Sequence, residues 1–386
     1  MDPFERLPAE IIIEILLFTS DFVGIESLLT VSPRVRTIFH SRPGPLFQEL
    51  VAFNSITSAS PIQKIIQKVQ FLHNSSFNFH GIEEYRQCTG SLQDQPVIHT
   101  DVTEVSRMMQ ISAQIQRLAC KCLWTMQQNF ISIVSASPAG NLSRSIRAQK
   151  AAKPFSWVEE STIYWALWHL RHYSDLHSYG TRLNWTEESM KTIQKYQTWN
   201  DIDGLAPEII TTVAAVLSDL GLSPIYPPYP YMNEPGESIR GAWWWILETP
   251  PPLFKSFDLE SMDIAIWPSP PTPPDDIVTA AWLLNEERCG KVPTQMGMYK
   301  NWARIRAFQG PNPDYTLLRI QPYRRLGVLL WDPWRMYSTG LMKWNSREPL
   351  IPAPDGDEDL VELVGVEDVT MQEWHSRWIT LAGVRC

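Results

Sequence analysis

The stretch Leu7-Pro8-Ala9-Glu10-Ile11-Ile12-Ile13-Glu14-Ile15-Leu16 constrains the fold more than any other segment of the chain. Proline in the first turn of a helix gives up no hydrogen bond, because the first N–H groups have no intrahelical acceptor. A helix therefore starts here. Ile11 and Ile15 lie four apart on one face and Ile12 and Leu16 four apart on the adjacent one, so the apolar surface is wider than a single core contact uses. So short a helix has two surfaces to bury. Ser20-Asp21 offers caps for a second short helix carrying Phe22, Ile25, Leu28 and Leu29. Ser32-Pro33 caps and opens a third with Val35, Ile38 and Phe39.

These residues resemble the F-box, whose pattern opens with Leu-Pro-x-Glu-Ile, continues to an Ile-Leu pair and ends in a Val-Ser or Val-Cys step followed by basic residues. Here the matching positions are Leu7-Pro8-Ala9-Glu10-Ile11, Ile15-Leu16, and Val31-Ser32 with Arg34 and Arg36. The particular likeness is to the F-box proteins found in large numbers in filamentous fungi. The resemblance covers residues 1–50 and implies a three-helix module that docks on a Skp-family adaptor, and through it on a cullin. Carried over position by position, the docking contacts fall on Leu7, Pro8, Ile11, Ile15, Leu16 and Leu28. The resemblance also implies that the chain is a substrate-recognition subunit of an SCF-type cullin ubiquitin ligase, not an enzyme, with no cofactor and an unknown target protein.

Downstream, helical periodicity dominates. Ile62, Ile65, Ile66, Val69 and Leu72 trace one stripe. Asp101-x-x-Glu104 resembles a capping box and opens a helix near thirty residues long, with Val102, Val105, Met109, Leu118, Cys122, Met126, Phe130 and Ile133 on one face. Ser156-x-x-Glu159 caps the next, which runs toward Gly180 as a stop. Further helices are expected over 187–199, 207–220 and 276–288, and after the Thr370-x-x-Glu373 cap. Proline blocks helix and central strand alike, so the Tyr/Pro-rich stretch 223–231 and the segment 250–274 read as extended loops. A bland rigid connection outweighs a polyproline ligand, since short Pro-x-x-Pro matches arise easily among 31 prolines.

The fold class is mainly α: an F-box at 1–50, a helical domain at 51–248, a proline-rich linker or loop at 249–275 and a mainly helical C-terminal region at 276–386. No repeat of propeller or leucine-rich spacing appears. The downstream region is rich in tryptophan, with 17 in the chain, and core is the default use for rings of that size. The segment Tyr323 to Arg335 resembles one recurring near the C-termini of such fungal F-box proteins, and implies organisation only.

A net charge of -9 supplies no basic field for nucleic acid or an anionic lipid surface. The N-terminus lacks the basic and apolar regions of a secretory signal, no run reaches the ~18 apolar residues of a membrane span, and five cysteines are an odd number. The expectation is an intracellular chain, in cytoplasm or nucleus, with reduced thiols. Cys120-x-Cys122 on a helix points its thiols about 200° apart, too far round to chelate one ion. His169, His172 and His177 can share a helical side, yet lack the glutamate of a metallopeptidase motif and read as packed or solvated. Asp355-x-Asp357-x-Asp359 fails as a calcium loop, because Leu360 replaces the glycine and Val366 the final acid. The alternatives to a ligase receptor are a non-ligase F-box scaffold and, less favoured, an all-α enzyme of unrecognised type.

Overall fold

In a computed structural model the described residues are 2–19, 21–90, 101–136, 143–194, 206–220, 327, 330, 331 and 335. They contain eleven helices and no strand, so the chain is mainly α. The helices expected after residue 276, both proline-rich stretches, the acidic 353–359 segment and the last cap lie outside them.

The helices group into two compact units. Unit 1 takes the described residues up to 121 and those of 160–194; unit 2 takes 122–159, 206–220, 327, 330, 331 and 335. The module at 1–50 thus shares its unit with helices from much later in the chain.

Unit 1 begins with α1 (Ala9–Thr19), α2 (Phe22–Val31) and α3 (Pro33–Ser41), the three short helices that the sequence implies. Their caps are the expected ones. Asp21 accepts the N–H groups of Val23 and Gly24 at 3.1 Å each, and Ser32 accepts that of Val35 at 3.1 Å, with Pro33 opening α3. Arg36 reaches back to the last carbonyls of α2, Leu29 O and Thr30 O, at 2.8 Å each, filling acceptors that a helix end leaves open. A fourth helix follows, α4 (Pro43–Phe53), packed on α1 and α3. Pro43 and Pro45 both fall in its first turn, where a missing N–H costs nothing. Ile12, Leu16, Phe22, Ile25, Phe39, Leu46 and Phe47 are buried together in this part of the core.

Next come α5 (Ser60–His73), α6 (Ile82–Gly90), α7 (Val102–Ala136), α8 (Arg144–Ala151), α9 (Trp157–Arg182), α10 (Glu187–Gln194) and α11 (Ala206–Asp219). The expected stripe of α7 is buried at Val105, Met109, Leu118, Cys122, Met126 and Phe130, but so are Met108, Ile111, Ile115, Ala119 and Leu123. A helix apolar on most sides is an interior helix. Asp101 caps α7 through Thr103 N–H at 2.7 Å, while Glu104 reaches Ser75, taking its N–H and hydroxyl at 2.8 and 2.9 Å.

Gly180 does not stop α9, which runs on to Arg182; the left-handed residue is Asn184, at φ 53°. What Gly180 provides is room. A Cβ there would stand 2.9 Å from both Met190 Sδ and the Trp185 ring, so the chain can fold α10 back only over a bare backbone. Gly180→Ala is expected to destabilise unit 1 by about 1–3 kcal/mol, the usual cost of overpacking, measured by urea unfolding.

In unit 2, Ser156 and Glu159 form the reciprocal cap expected at the start of α9: Ser156 N–H to Glu159 Oε2 at 2.9 Å, and Glu159 N–H to Ser156 Oγ at 3.3 Å. Glu159 also receives Arg335, whose Nε donates to Oε1 at 2.7 Å and NH2 to Oε2 at 2.8 Å. The remaining donors of Arg335 go to Ala151 O, Lys153 O and Pro154 O at 2.7–2.9 Å. The guanidinium lies 5.3 Å from the Trp331 ring centre and 5.7 Å from that of Phe155, and Trp331 packs against Phe130.

Candidate docking surface

Helix α1 divides its apolar residues between two faces. Ile12 and Leu16 are wholly buried. Pro8, Ile11, Ile15 and Phe18, spaced three, four and three apart, form a stripe on the adjacent face: Pro8 is exposed, Ile11 is 41% exposed, Ile15 is half-buried and Phe18 is 81% exposed. Helix α2, packed on α1, adds Leu28 and Leu29, both half-buried, and Val31, 71% exposed. Single apolar residues on a surface are ordinary, but a stripe of them along one helix is the composition of a contact site.

The six expected docking residues therefore separate. Pro8, Ile11, Ile15 and Leu28 have side chains open in full or part to solvent, and Leu7 is half-buried. Leu16 is buried in the core. Any part it takes in docking is to support the face from beneath. Phe18 and Val31 are exposed members that sequence reasoning passed over. The helical spacing 8, 11, 15, 18 was the available signal for Phe18; for Val31 there was none beyond its place at a helix end.

Two sets of polar contacts hold the face in position. Asp2 Oδ2 accepts the Ser32 hydroxyl at 2.7 Å and the Arg34 N–H at 3.1 Å, so the segment before α1 is tied to the start of α3. The Ser32 hydroxyl holds the Asp2 carboxyl below its usual range. On the other side, α7 braces α2: Gln116 donates to the capping carboxylate of Asp21 and accepts Val23 N–H at 3.4 Å, and Arg117 bonds Glu26 at 2.5 Å. Neither tie had a sequence signature, since each joins residues some thirty to ninety-five positions apart.

The chemistry of the described residues is that of packing. Among them no group of three or more His, Cys, Asp or Glu side chains is placed to hold a metal, and no helix is long and apolar enough to cross a membrane. Cys120 and Cys122 are buried, and burial pushes the Cys122 thiol up to about 12. The three candidate histidines do not converge: His172 bonds Tyr85, His169 lies beside Trp165 and His177 beside Tyr173.

In comparisons with known proteins, no family model matches the chain, and neither does any curated protein or solved structure.

Proposed function

We propose that the chain is the substrate-recognition subunit of an SCF-type cullin ubiquitin ligase, docking on a Skp-family adaptor through α1 and α2. The observation that carries this reading is the outward stripe Pro8, Ile11, Ile15 and Phe18, set beside the wholly buried Ile12 and Leu16 of α1. A globular core has no use for the second face. The F-box resemblance of the same residues supplies the partner. On this reading the chain contributes no catalytic group: holding a target lysine beside an activated thioester makes the encounter effectively intramolecular. A stable docking surface would bury on the order of 1,600 Å² in total.

The test is co-expression with a Skp-family adaptor and affinity purification of the intact chain beside the Leu7→Ala/Pro8→Ala variant. The adaptor is expected to co-purify stoichiometrically with the first and to be lost with the second, both chains remaining helical by circular dichroism. Adaptor and cullin together support a ligase. Adaptor without cullin would support the scaffold reading, and binding of neither would sink the assignment.

A further inference from the structure

Unit 1 holds a cluster of titratable side chains that docking leaves unused, where residues 73–90 meet α9. His73, the last residue of α5, bonds the Asp175 carboxylate at 2.9 Å, and the same oxygen takes Arg171 Nε at 2.8 Å. On α6 the Tyr85 hydroxyl lies 2.6 Å from His172 Nε2. Lys68 from α5 and His169 from α9 act electrostatically on this site, and Gln114 from α7 meets Arg171 at 3.5 Å. His73 and Arg171 thus meet on one carboxylate, Asp175, which also acts on His172. Burial works against that carboxylate, yet His73 and Arg171 outweigh it and hold the acid below its usual range.

We propose that residues 74–90, the loop after α5 with α6, form an acid-releasable flap fastened to α9 through Tyr85–His172, with the His73–Asp175 tie as its hinge. At neutral pH the fastening is reinforced by Tyr179, whose hydroxyl bonds Phe77 O at 3.0 Å and Phe79 N–H at 3.1 Å, and by Trp185 Nε1–H to Phe79 O at 2.7 Å. Those bonds do not titrate in the acid range; the Tyr85–His172 bond, which needs a neutral ring as acceptor, is lost when that ring takes a proton.

Burial, aided by Lys68 and opposed by Asp175, holds the His172 ring down to about 3, and burial with His172 and Lys68 lowers His169. His172 is therefore neutral in place and free to accept the Tyr85 hydroxyl proton. With the flap lifted the ring returns toward its ordinary 6.5. Between those two values the open state binds the extra proton, so opening gains as pH falls and gains nothing above 6.5. At about pH 5 the His172 proton alone multiplies the open fraction by at most about 30 relative to about pH 7.5.

Hydrogen exchange read by mass spectrometry, corrected for the intrinsic pH dependence of the amides, tests this on the full chain. Amides of 74–90 are expected to exchange up to about 30-fold faster at about pH 5 than at about pH 7.5, while those of α1–α4 keep their rates. In His172→Gln, which keeps an acceptor for Tyr85 but cannot titrate, the acceleration should fall below about 3-fold. His169→Gln leaves the Tyr85–His172 bond in place and should keep most of the acceleration. If His172→Gln does not fold, the pH profile of the intact chain decides, since the acceleration must set in only below about 6.5. No acceleration in the intact chain, equal acceleration in His172→Gln, onset well above that pH, or acceleration spread evenly over α1–α4 would each overturn the flap.

Discussion

Arg335→Ala is expected to weaken unit 2 by about 3–5 kcal/mol, the usual cost of removing one partner of a buried ion pair. The cost arises on Glu159, which is wholly buried and would lose both hydrogen bonds from the guanidinium. Three carbonyl oxygens at 151–154 would lose their donor as well, and Trp331 and Phe155 the plane they pack on. Arg335→Lys should recover only part of this, since an ammonium carries three donors on a single point and cannot span a carboxylate and three carbonyls. Urea unfolding of the full chain, followed by circular dichroism, checks both variants. A shift below about 1 kcal/mol for Arg335→Ala would mean that this contact does not hold unit 2 together.

The second large effect separates the two faces of α1. Leu16→Ala is expected to cost about 2–5 kcal/mol, the range for a fully buried leucine, because it opens a cavity among α1, α3 and α4. Phe18→Ser, on the exposed stripe, should change stability by no more than about 0.5 kcal/mol. Adaptor capture should reverse the order of cause: Phe18→Ser loses binding while folded, and Leu16→Ala loses it only as far as the helices loosen. Capture and thermal unfolding measured on both variants decide it. If Phe18→Ser binds the adaptor unchanged, the outward stripe is not the docking face.

How much of this was legible in the sequence depends on the range of each interaction. The caps at Asp21, Ser32 and Ser156, and the starts of α1, α3, α5 and α9, are local, with donor and acceptor within a few residues, so spacing alone disclosed them. Helix α4 was not among the expected elements, although its prolines stand in a first turn, where they are harmless. Gly180 was misjudged: its lack of a side chain answers the tertiary approach of Trp185 and Met190, which no local pattern records. The two faces of α1 were visible as periodicity, but which was inward was not, because that choice is made by α3 and α4. The ties of Asp2 to Ser32, Gln116 to Asp21 and Arg335 to Glu159 join residues whose separation carries no signal.

The reciprocal cap of α9 has one further consequence, in time. Glu159 closes the first turn of its helix at once, but the guanidinium that neutralises it belongs to a residue 176 positions later. At ordinary elongation rates of about 5–20 residues per second, the nascent chain carries that acid without its counterion for about 9–35 s. Through that interval the start of α9 cannot bury its carboxylate cheaply, so unit 2 has reason to stay open until the arginine leaves the ribosome. Order of synthesis and order of closure are then coupled, and a message interrupted anywhere between the two residues yields a chain whose long helix starts without Arg335 against its first turn.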